Sequence, residues 1–177
     1  MDFYLARLQD AIASSINGMD ESEALSKQAE GKWSAAQILE HLYLTYTGTI
    51  KGFERCLESG KPTARIPTWS DRIRSCVVVR LGHMPEGRKA PKNSTPRGLP
   101  PEQVRGEIVG KIAAMDAVIT QAEEKYGLET RLLDHPILGP LRGREWRKFH
   151  WVHGMHHVRQ IARLRKGMEA PIDAVRR

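Results

Sequence analysis

The sequence predicts an all-α protein, a four-helix bundle built as one domain from residues 1–177. Apolar side chains recur every three or four positions in four long segments, which is the spacing of amphipathic helices. Capping and stop residues bound these segments. A proline-rich stretch, residues 59–100, separates the second helix from the third, and such a long crossover lets these two helices run parallel.

The first helix is predicted over residues 2–17. Its apolar residues recur at helical spacing from Phe3 to Ile16, and the Asn17-Gly18 pair that follows is a good helix stop. A polar connection leads from there to the second helix.

The second helix is predicted from residue 34 to about residue 57. Ser34 can cap the first backbone N–H groups, and Gln37 can return a hydrogen bond to the backbone of Ser34, which together make a capping box. The apolar stripe of this helix includes Ile38 and, one turn further on, His41. A histidine on an inward stripe needs a polar partner.

The crossover differs in composition from the rest of the chain. Seven of the ten prolines lie between Pro62 and Pro101, which limits regular structure. We expect one short helix near residues 69–79. The polar segment 82–98 is interpreted as a lid that carries substrate specificity.

The third helix is predicted from residue 101 to about residue 125. Proline is tolerated in its first turn, and Tyr126-Gly127 ends it. The only run that resembles a strand is the short apolar stretch 76–79, so no sheet is expected.

The fourth helix is predicted from residue 142 or 143 to residue 166, with Gly167 as its stop. A turn, residues 135–140, precedes it and contains two prolines and a glycine.

Composition and charge exclude several classes of protein. No apolar run approaches the roughly 20 residues of a membrane span, and the first residues lack the pattern of a secretory signal. The two cysteines, Cys56 and Cys76, form neither a C-x-x-C pair nor a disulfide framework, which suits a reducing, cytoplasmic location. The net charge of +7 is spread along the chain, without the interleaved aromatics of a base-stacking surface, so no nucleic-acid partner is expected.

Histidines are the best clue to function, since four of the seven lie within residues 149–160. His153 and His157 are four residues apart, so both face one side of the fourth helix and can bind one divalent ion. His41 is the natural third ligand. Single histidines in a core are usually bonded to carbonyls or water, but three that converge favour a metal site. Glu40 points about 100° away from its neighbour and is expected to face solvent.

Three neutral histidines without a thiolate leave a coordination position open, as catalytic sites do. The zinc-peptidase motif H-E-x-x-H is absent, because Gly154 occupies the position of the catalytic glutamate.

Five further residues are candidates for a second shell or a pocket. Gln160 lies one turn beyond His157 and is interpreted either as a hydrogen-bond partner of a ligand or substrate, or as a structural amide. His156 flanks the pair at a poorer angle. The other three share the inward stripes of the second and fourth helices: His150, Thr45 and Trp146.

Several motifs together resemble the DinB/YfiT-like superfamily of metalloenzymes, especially its DUF1569-type branch. The motifs are Trp33-Ser34-Ala35-Ala36-Gln37-Ile38-Leu39-Glu40-His41-Leu42, His135-Pro136-x-x-Gly139, Glu145-Trp146 and His153-x-x-His156-His157-x-x-Gln160. The resemblance implies a bundle of up-down-down-up topology. It also implies a divalent ion, nickel or zinc first and iron or manganese as alternatives, held by His41, His153 and His157.

Characterised relatives in that superfamily transfer low-molecular-weight thiols or isomerise substrates with them. The resemblance therefore implies a metal-dependent thiol S-transferase or hydrolase that acts on a small molecule. The alternative is a noncatalytic stress-response or interaction protein in which the ion is structural, with a homodimer as its suggested assembly. An open, solvent-accessible coordination position would favour the enzyme.

Overall fold

The chain folds mainly into helices, with one small sheet, in a computed structural model that describes residues 1–84 and 89–169. A one-turn π-helix, Cys76–Arg80, directly follows the short helix Trp69–Ser75, and a 3-10 turn, Lys92–Ser94, lies further along the crossover. The α-helices are α1 (Phe3–Ile16), α2 (Glu21–Leu25), α3 (Ala35–Glu58), α4 (Trp69–Ser75), α5 (Pro101–Tyr126) and α6 (Gly143–Glu169), and the strands are β1 (Arg131–His135) and β2 (Gly139–Arg142).

The four long predicted helices are present as α1, α3, α5 and α6. The predicted capping box also forms: Ser34 Oγ accepts from the Gln37 N–H, and Gln37 Oε1 accepts from the Ser34 N–H. The short helix expected near residues 69–79 corresponds to α4 and the π-helical turn after it. The capping signals therefore located the helix starts to within about a residue.

The absence of a sheet was a wrong prediction. β1 and β2 form an antiparallel hairpin that pairs Leu133 with Leu141 and His135 with Gly139. Each strand is too short for its alternation to be read in the sequence, and an isolated hairpin of this size is unstable in water. Leu132 and Leu141 are fully buried, so packing against the helices stabilises the hairpin.

Two further features differ from the predictions: an additional short helix after α1 and the end of α6. The polar connection after α1 contains the short helix α2, capped by the Asp20 side chain. Gly167 does not end α6, which continues to Glu169. A glycine stops a helix by adopting a positive φ, and Gly167 is not among the glycines with positive φ.

Contacts between the helices give their directions. The Tyr43 hydroxyl donates to Glu107 near the start of α3 and α5, and the Tyr126 hydroxyl donates to the Cys56 carbonyl near their ends. α3 and α5 therefore run parallel, as predicted for the helices joined by the crossover. α6 runs antiparallel to α3, because Phe53 packs against Trp146 near the end of α3 while His41 meets α6 two turns further along.

α1 is parallel to α6 and antiparallel to α5. Lys148 lies over the Tyr4 ring, and the Arg165 guanidinium donates to the Ser15 carbonyl at the other end of α1. The Asp2 N–H, at the start of α1, donates to Asp116, while the Gln9 amide donates to the Val109 carbonyl nearer the start of α5. The core fills the space between these four helices and includes the fully buried Leu8, Ile12, Leu42, Ile112, Met115 and Ile161.

Within the described residues, no helix combines the length and the apolar character needed to cross a bilayer. Both cysteines are free: Cys56 is buried, as expected for an inert thiol, and Cys76 is partly buried.

Candidate metal centre

Three imidazoles from two helices meet at one point. α3 supplies His41, and adjacent turns of α6 supply His153 and His157. The Nε2 atom of His153 lies 3.1 Å from Nε2 of His41 and 3.1 Å from Nε2 of His157. One ligand atom from each of the three lies within 4.8 Å of the others. Nitrogens bound to one tetrahedral zinc ion are about 3.3 Å apart, so the three histidines could hold a metal ion.

Hydrogen bonds at the far side of two rings orient their lone pairs. His41 Nδ1 donates to the Ser94 carbonyl over 2.7 Å, because a carbonyl oxygen can only accept. His157 Nδ1 likewise donates to Gln160 Oε1 over 2.8 Å. In the neutral rings, both Nε2 atoms therefore carry lone pairs, and both point at His153 Nε2.

His153 cannot satisfy both neighbours. Its Nε2 holds at most one proton, so it can donate to only one of the two lone pairs. Its Nδ1 is buried and has no hydrogen-bond partner among the described residues, and its ring stacks on Phe149 with the planes 9° apart. A cation at the meeting point would interact favourably with all three nitrogens.

Burial keeps these rings neutral at physiological pH. Desolvation lowers the pKa of His41, and the hydrogen bond to Ser94 only partly opposes it. Desolvation, with the nearby His41, lowers the pKa of His157 to about 3. The pKa of His153 is lowered well below its ordinary value by burial and by the neighbouring imidazoles. Neutral imidazole is the form that binds metals.

The centre opens into a large cavity of about 980 Å³, whose wall includes all three histidines. His41 and His157 are buried, whereas His153 keeps part of its surface accessible. An ion at the meeting point would therefore have one side turned toward the cavity.

Gln160 hydrogen-bonds to the candidate ligand His157 and to His156. Its Oε1 accepts from His157, and its Nε2 donates to His156 Nε2 over 3.0 Å. His156 also lines the cavity. The two residues form a polar chain that ends at the candidate centre.

Two of the remaining candidates, His150 and Trp146, lie away from the cavity. His150 is fully buried, bonds to the Thr49 hydroxyl through Nε2, and has a pKa lowered by burial to about 3. Trp146 stacks on His150, and its indole N–H donates to the Leu133 carbonyl. Thr45 lines the cavity, while its hydroxyl donates to the His41 carbonyl.

The expectation that Glu40 faces solvent was wrong. The side chain is buried, and its carboxylate accepts three backbone N–H groups, from Arg97, Gly98 and Leu99. The residue does point away from His41, but the crossover covers that side of α3. No sequence signal relates a glutamate to backbone groups nearly sixty residues away.

His135 and Ser94 also belong to the surroundings of the centre. His135 lines the cavity, accepts the N–H groups of Ile137 and Leu138 through Nδ1, and has a pKa lowered by burial to about 4. Ser94 contributes only a backbone carbonyl to the site, so its residue type carried no signal.

The fold and the site define a mostly helical protein with a three-histidine centre beside a cavity. The chain belongs to the family described as "Protein of unknown function (DUF1569)", which matches residues 4–164. This range contains all three histidines. No curated protein and no solved structure was found to match the chain.

Proposed function

We propose that the protein is a DinB-like four-helix bundle, folded as one domain, that binds one divalent metal ion through His41, His153 and His157. We further propose that it is a metal-dependent enzyme acting on a small molecule, as a thiol S-transferase or a hydrolase. The observation that carries the proposal is the convergence of three neutral Nε2 atoms on one wall of a large cavity.

The directions of the long helices support the bundle. α1 and α6 run one way, and α3 and α5 run the other way. In chain order this is up, down, down, up, the topology of the superfamily that the motifs resemble. Metal sites in such bundles are built from side chains on facing helices, as His41 and the α6 pair are.

The donor set indicates which ions fit. Imidazole nitrogens suit zinc and nickel, and also iron and manganese less strongly. Neither cysteine is part of the cluster. We therefore propose zinc or nickel as the ion.

The residues of the chain would prepare the site, and the ion would supply Lewis acidity that favours a thiolate or a deprotonated water at neutral pH. The Ser94 carbonyl and the Gln160 amide fix the orientation of His41 and His157, which is how outer-shell partners support metal ligands. The apolar cavity walls would exclude water from the reacting groups.

A purely structural ion that fastens α3 to α6 is the rival. Such sites are usually closed by four protein ligands. The cluster here has three members among the described residues, and His153 is accessible from the cavity. These observations favour the enzyme.

The test is metal analysis of untagged protein followed by an activity screen. We expect one divalent ion per wild-type chain and loss of the ion in the His41→Ala and His157→Ala variants. His83→Ala is the matched control, because His83 is exposed and is not part of the cluster. Conjugation of several cellular thiols to an electrophile, and ester or amide hydrolysis, are then measured on the loaded protein.

Equal metal content in all four proteins would overturn the metal site. The structural ion would be favoured by three results together: the wild-type protein is fully loaded with metal, the bound ion accepts no external ligand, and neither assay detects activity.

A further inference from the structure

The cavity beside the metal centre has an uneven charge. Although the chain contains 21 acidic residues, no acidic side chain among the described residues lines this cavity. Four basic side chains do: Lys32, Arg74, Lys89 and Arg163. The histidines of the centre are neutral, so the charged side chains that the described residues contribute to the wall are all positive.

Three of these cations are available to a ligand. Arg74 is committed to Asp71, 2.8 Å away. By contrast, Lys32, Lys89 and Arg163 have no carboxylate within 4.0 Å in the described part of the chain, and all three are exposed. Exposed cations around buried histidines place the positive charge at the mouth of the cavity.

The rest of the wall is mainly apolar. Aliphatic and aromatic side chains from α3, the crossover, the hairpin and α6 contribute to it, including Ile38, Val78, Met84, Ile137, Phe149 and Leu164. Its volume of about 980 Å³ is at the upper end for small-molecule sites. Hydrocarbon would be transferred favourably from water into such a space.

We propose that the substrate is an amphipathic small anion. Its apolar body fills the cavity, its anionic group lies at the mouth between Lys32, Lys89 and Arg163, and its opposite end reaches the three Nε2 atoms. The contact between the opposite end and the three Nε2 atoms rests on the proposed metal function. The positions of the apolar body and of the anionic group rest on the cavity alone. A cationic ligand of the same shape would be disfavoured, because it would meet three like charges and no carboxylate from the described part of the chain.

The test uses three thiols of equal length that differ only at the far end: mercaptohexanoate, mercaptohexanol and aminohexanethiol. Each is titrated anaerobically into cobalt-loaded protein at neutral pH. Calorimetry measures affinity, and the thiolate-to-cobalt charge-transfer band reports whether the sulfur reaches the ion. We expect mercaptohexanoate to bind roughly ten times more tightly than mercaptohexanol, with aminohexanethiol weakest. Raising the salt concentration should reduce the difference in affinity between mercaptohexanoate and mercaptohexanol, because salt screens the exposed charges.

Two triple variants test which cations cause the preference for the carboxylate. The cavity variant combines Lys32→Gln, Lys89→Gln and Arg163→Gln, and it should bind mercaptohexanoate and mercaptohexanol equally without a change in cobalt content. The control removes the same charge from the far end of α3 and the segment after it through Lys51→Gln, Arg55→Gln and Lys61→Gln, positions that are exposed and outside the cavity. This control should keep the preference.

The outcomes separate the two proposals. A charge-transfer band of equal strength and equal affinity for all three thiols would overturn the anion site and leave the metal site standing. No band with any thiol, together with a calorimetric preference for the carboxylate that the cavity variant removes, would overturn the thiol S-transferase and the placement of the substrate's opposite end at the ion, and would support the anion site. A preference that survives in the cavity variant would overturn the assignment to these three cations.

Discussion

Two of the three candidate ligands, His41 and His157, each depend on a second residue that fixes the ring. Ser94 does this for His41 through a main-chain carbonyl, and Gln160 does it for His157 through its side chain. Only the Gln160 side chain can be removed by substitution, because Ser94 contributes main chain. Gln160 is therefore the most direct test of how orientation controls metal affinity.

We predict that Gln160→Ala lowers metal affinity by about ten- to a hundredfold, the usual cost of losing an outer-shell partner. Gln160→Glu should restore most of the affinity, because its carboxylate can accept the His157 Nδ1–H. The measurement is competition with a chromophoric chelator. Gln103→Ala, at an exposed position on α5, is the control, and equal affinity in Gln160→Ala and wild type would contradict the prediction.

Asp71 is a buried charge with several partners. It accepts from Arg65 over 2.6 Å, from the N–H and hydroxyl of Thr68, and from Arg74 over 2.8 Å. The Arg65 hydrogen bond is the largest cause that holds the pKa of the Asp71 carboxyl well below its ordinary value. The ionised carboxylate is thus favoured in the folded chain.

Because the folded pKa is depressed, Asp71 stabilises the fold at pH values above its unfolded pKa of about 3.9. This stabilisation is lost as the pH falls below that value toward the folded pKa. We predict that Asp71→Asn reduces the free energy of unfolding at neutral pH, and that the difference from wild type shrinks in acid. Urea titrations at several pH values test this. The exposed Asp10→Asn should show neither effect, and a pH-independent difference would contradict the assignment.

At the scale of elements, α3 connects the site to the crossover through two consecutive residues. Glu40 binds the backbone N–H groups of residues 97–99, and His41 binds the Ser94 carbonyl. One short part of the crossover is therefore held by the same turn of helix that carries a candidate ligand. The segment 82–98, interpreted from the sequence as a lid, contributes Met84, Lys89, Ser94 and Thr95 to the cavity wall, and its residues 85–88 lie outside the described residues.

We predict that Glu40→Gln destabilises the fold by about 1–3 kcal/mol, since an amide offers one acceptor oxygen and places its N–H groups against buried donors. The amides of Arg97, Gly98 and Leu99 should exchange faster with deuterium, and metal affinity should fall. Glu54→Gln, at an exposed position of the same helix, should change neither quantity. Unchanged protection of these amides would contradict the prediction.

Gly154 marks the close contact between α6 and α1. A Cβ atom there would overlap the side chain of Leu8 and approach the Tyr46 hydroxyl to 3.1 Å, and Leu8 is fully buried. The glycine that separates this sequence from the zinc-peptidase motif is therefore required for packing.

We predict that Gly154→Ala destabilises the fold by about 1–3 kcal/mol, as overpacked cores do. Gly110→Ala on α5 is the matched control, because a Cβ there meets nothing within 4 Å. The control should stabilise the fold by about 0.5–1 kcal/mol, since alanine is the better helix former. Thermal denaturation of both variants measures the contrast, and a Gly154→Ala protein as stable as wild type would show that Leu8 moves aside.

For the whole molecule, an ion bound at this centre would join two helices that are distant in sequence. His41 and His157 are brought together only in the folded chain, so the ion should bind the folded state and stabilise it by mass action. Metal binding at this centre would thus be coupled to global stability.

We predict that a divalent ion at one hundred times its Kd raises the free energy of unfolding by about 2.7 kcal/mol. For a chain of this size, that is a rise in Tm of roughly 5–11 °C. Differential scanning calorimetry with and without zinc tests it. His157→Ala should show little rise and His83→Ala the full rise, whereas an equal shift in both would place the ion elsewhere.

The sequence by itself determined the long helices, because helical spacing and the capping box at Ser34 and Gln37 are local properties. It also determined that His153 and His157 share a helix face, since residues four apart always do. These inferences need no contact between distant segments.

Tertiary structure decided the rest. The hairpin forms because Leu132 and Leu141 are buried by the helices, and Glu40 is internal because the crossover folds over it. The same packing decides that His41 meets the α6 pair and that three cations lie around a cavity to which the described residues contribute no acidic group. Such features depend on which helix faces which, and side chains far apart in the chain acquire common surroundings only when the core assembles.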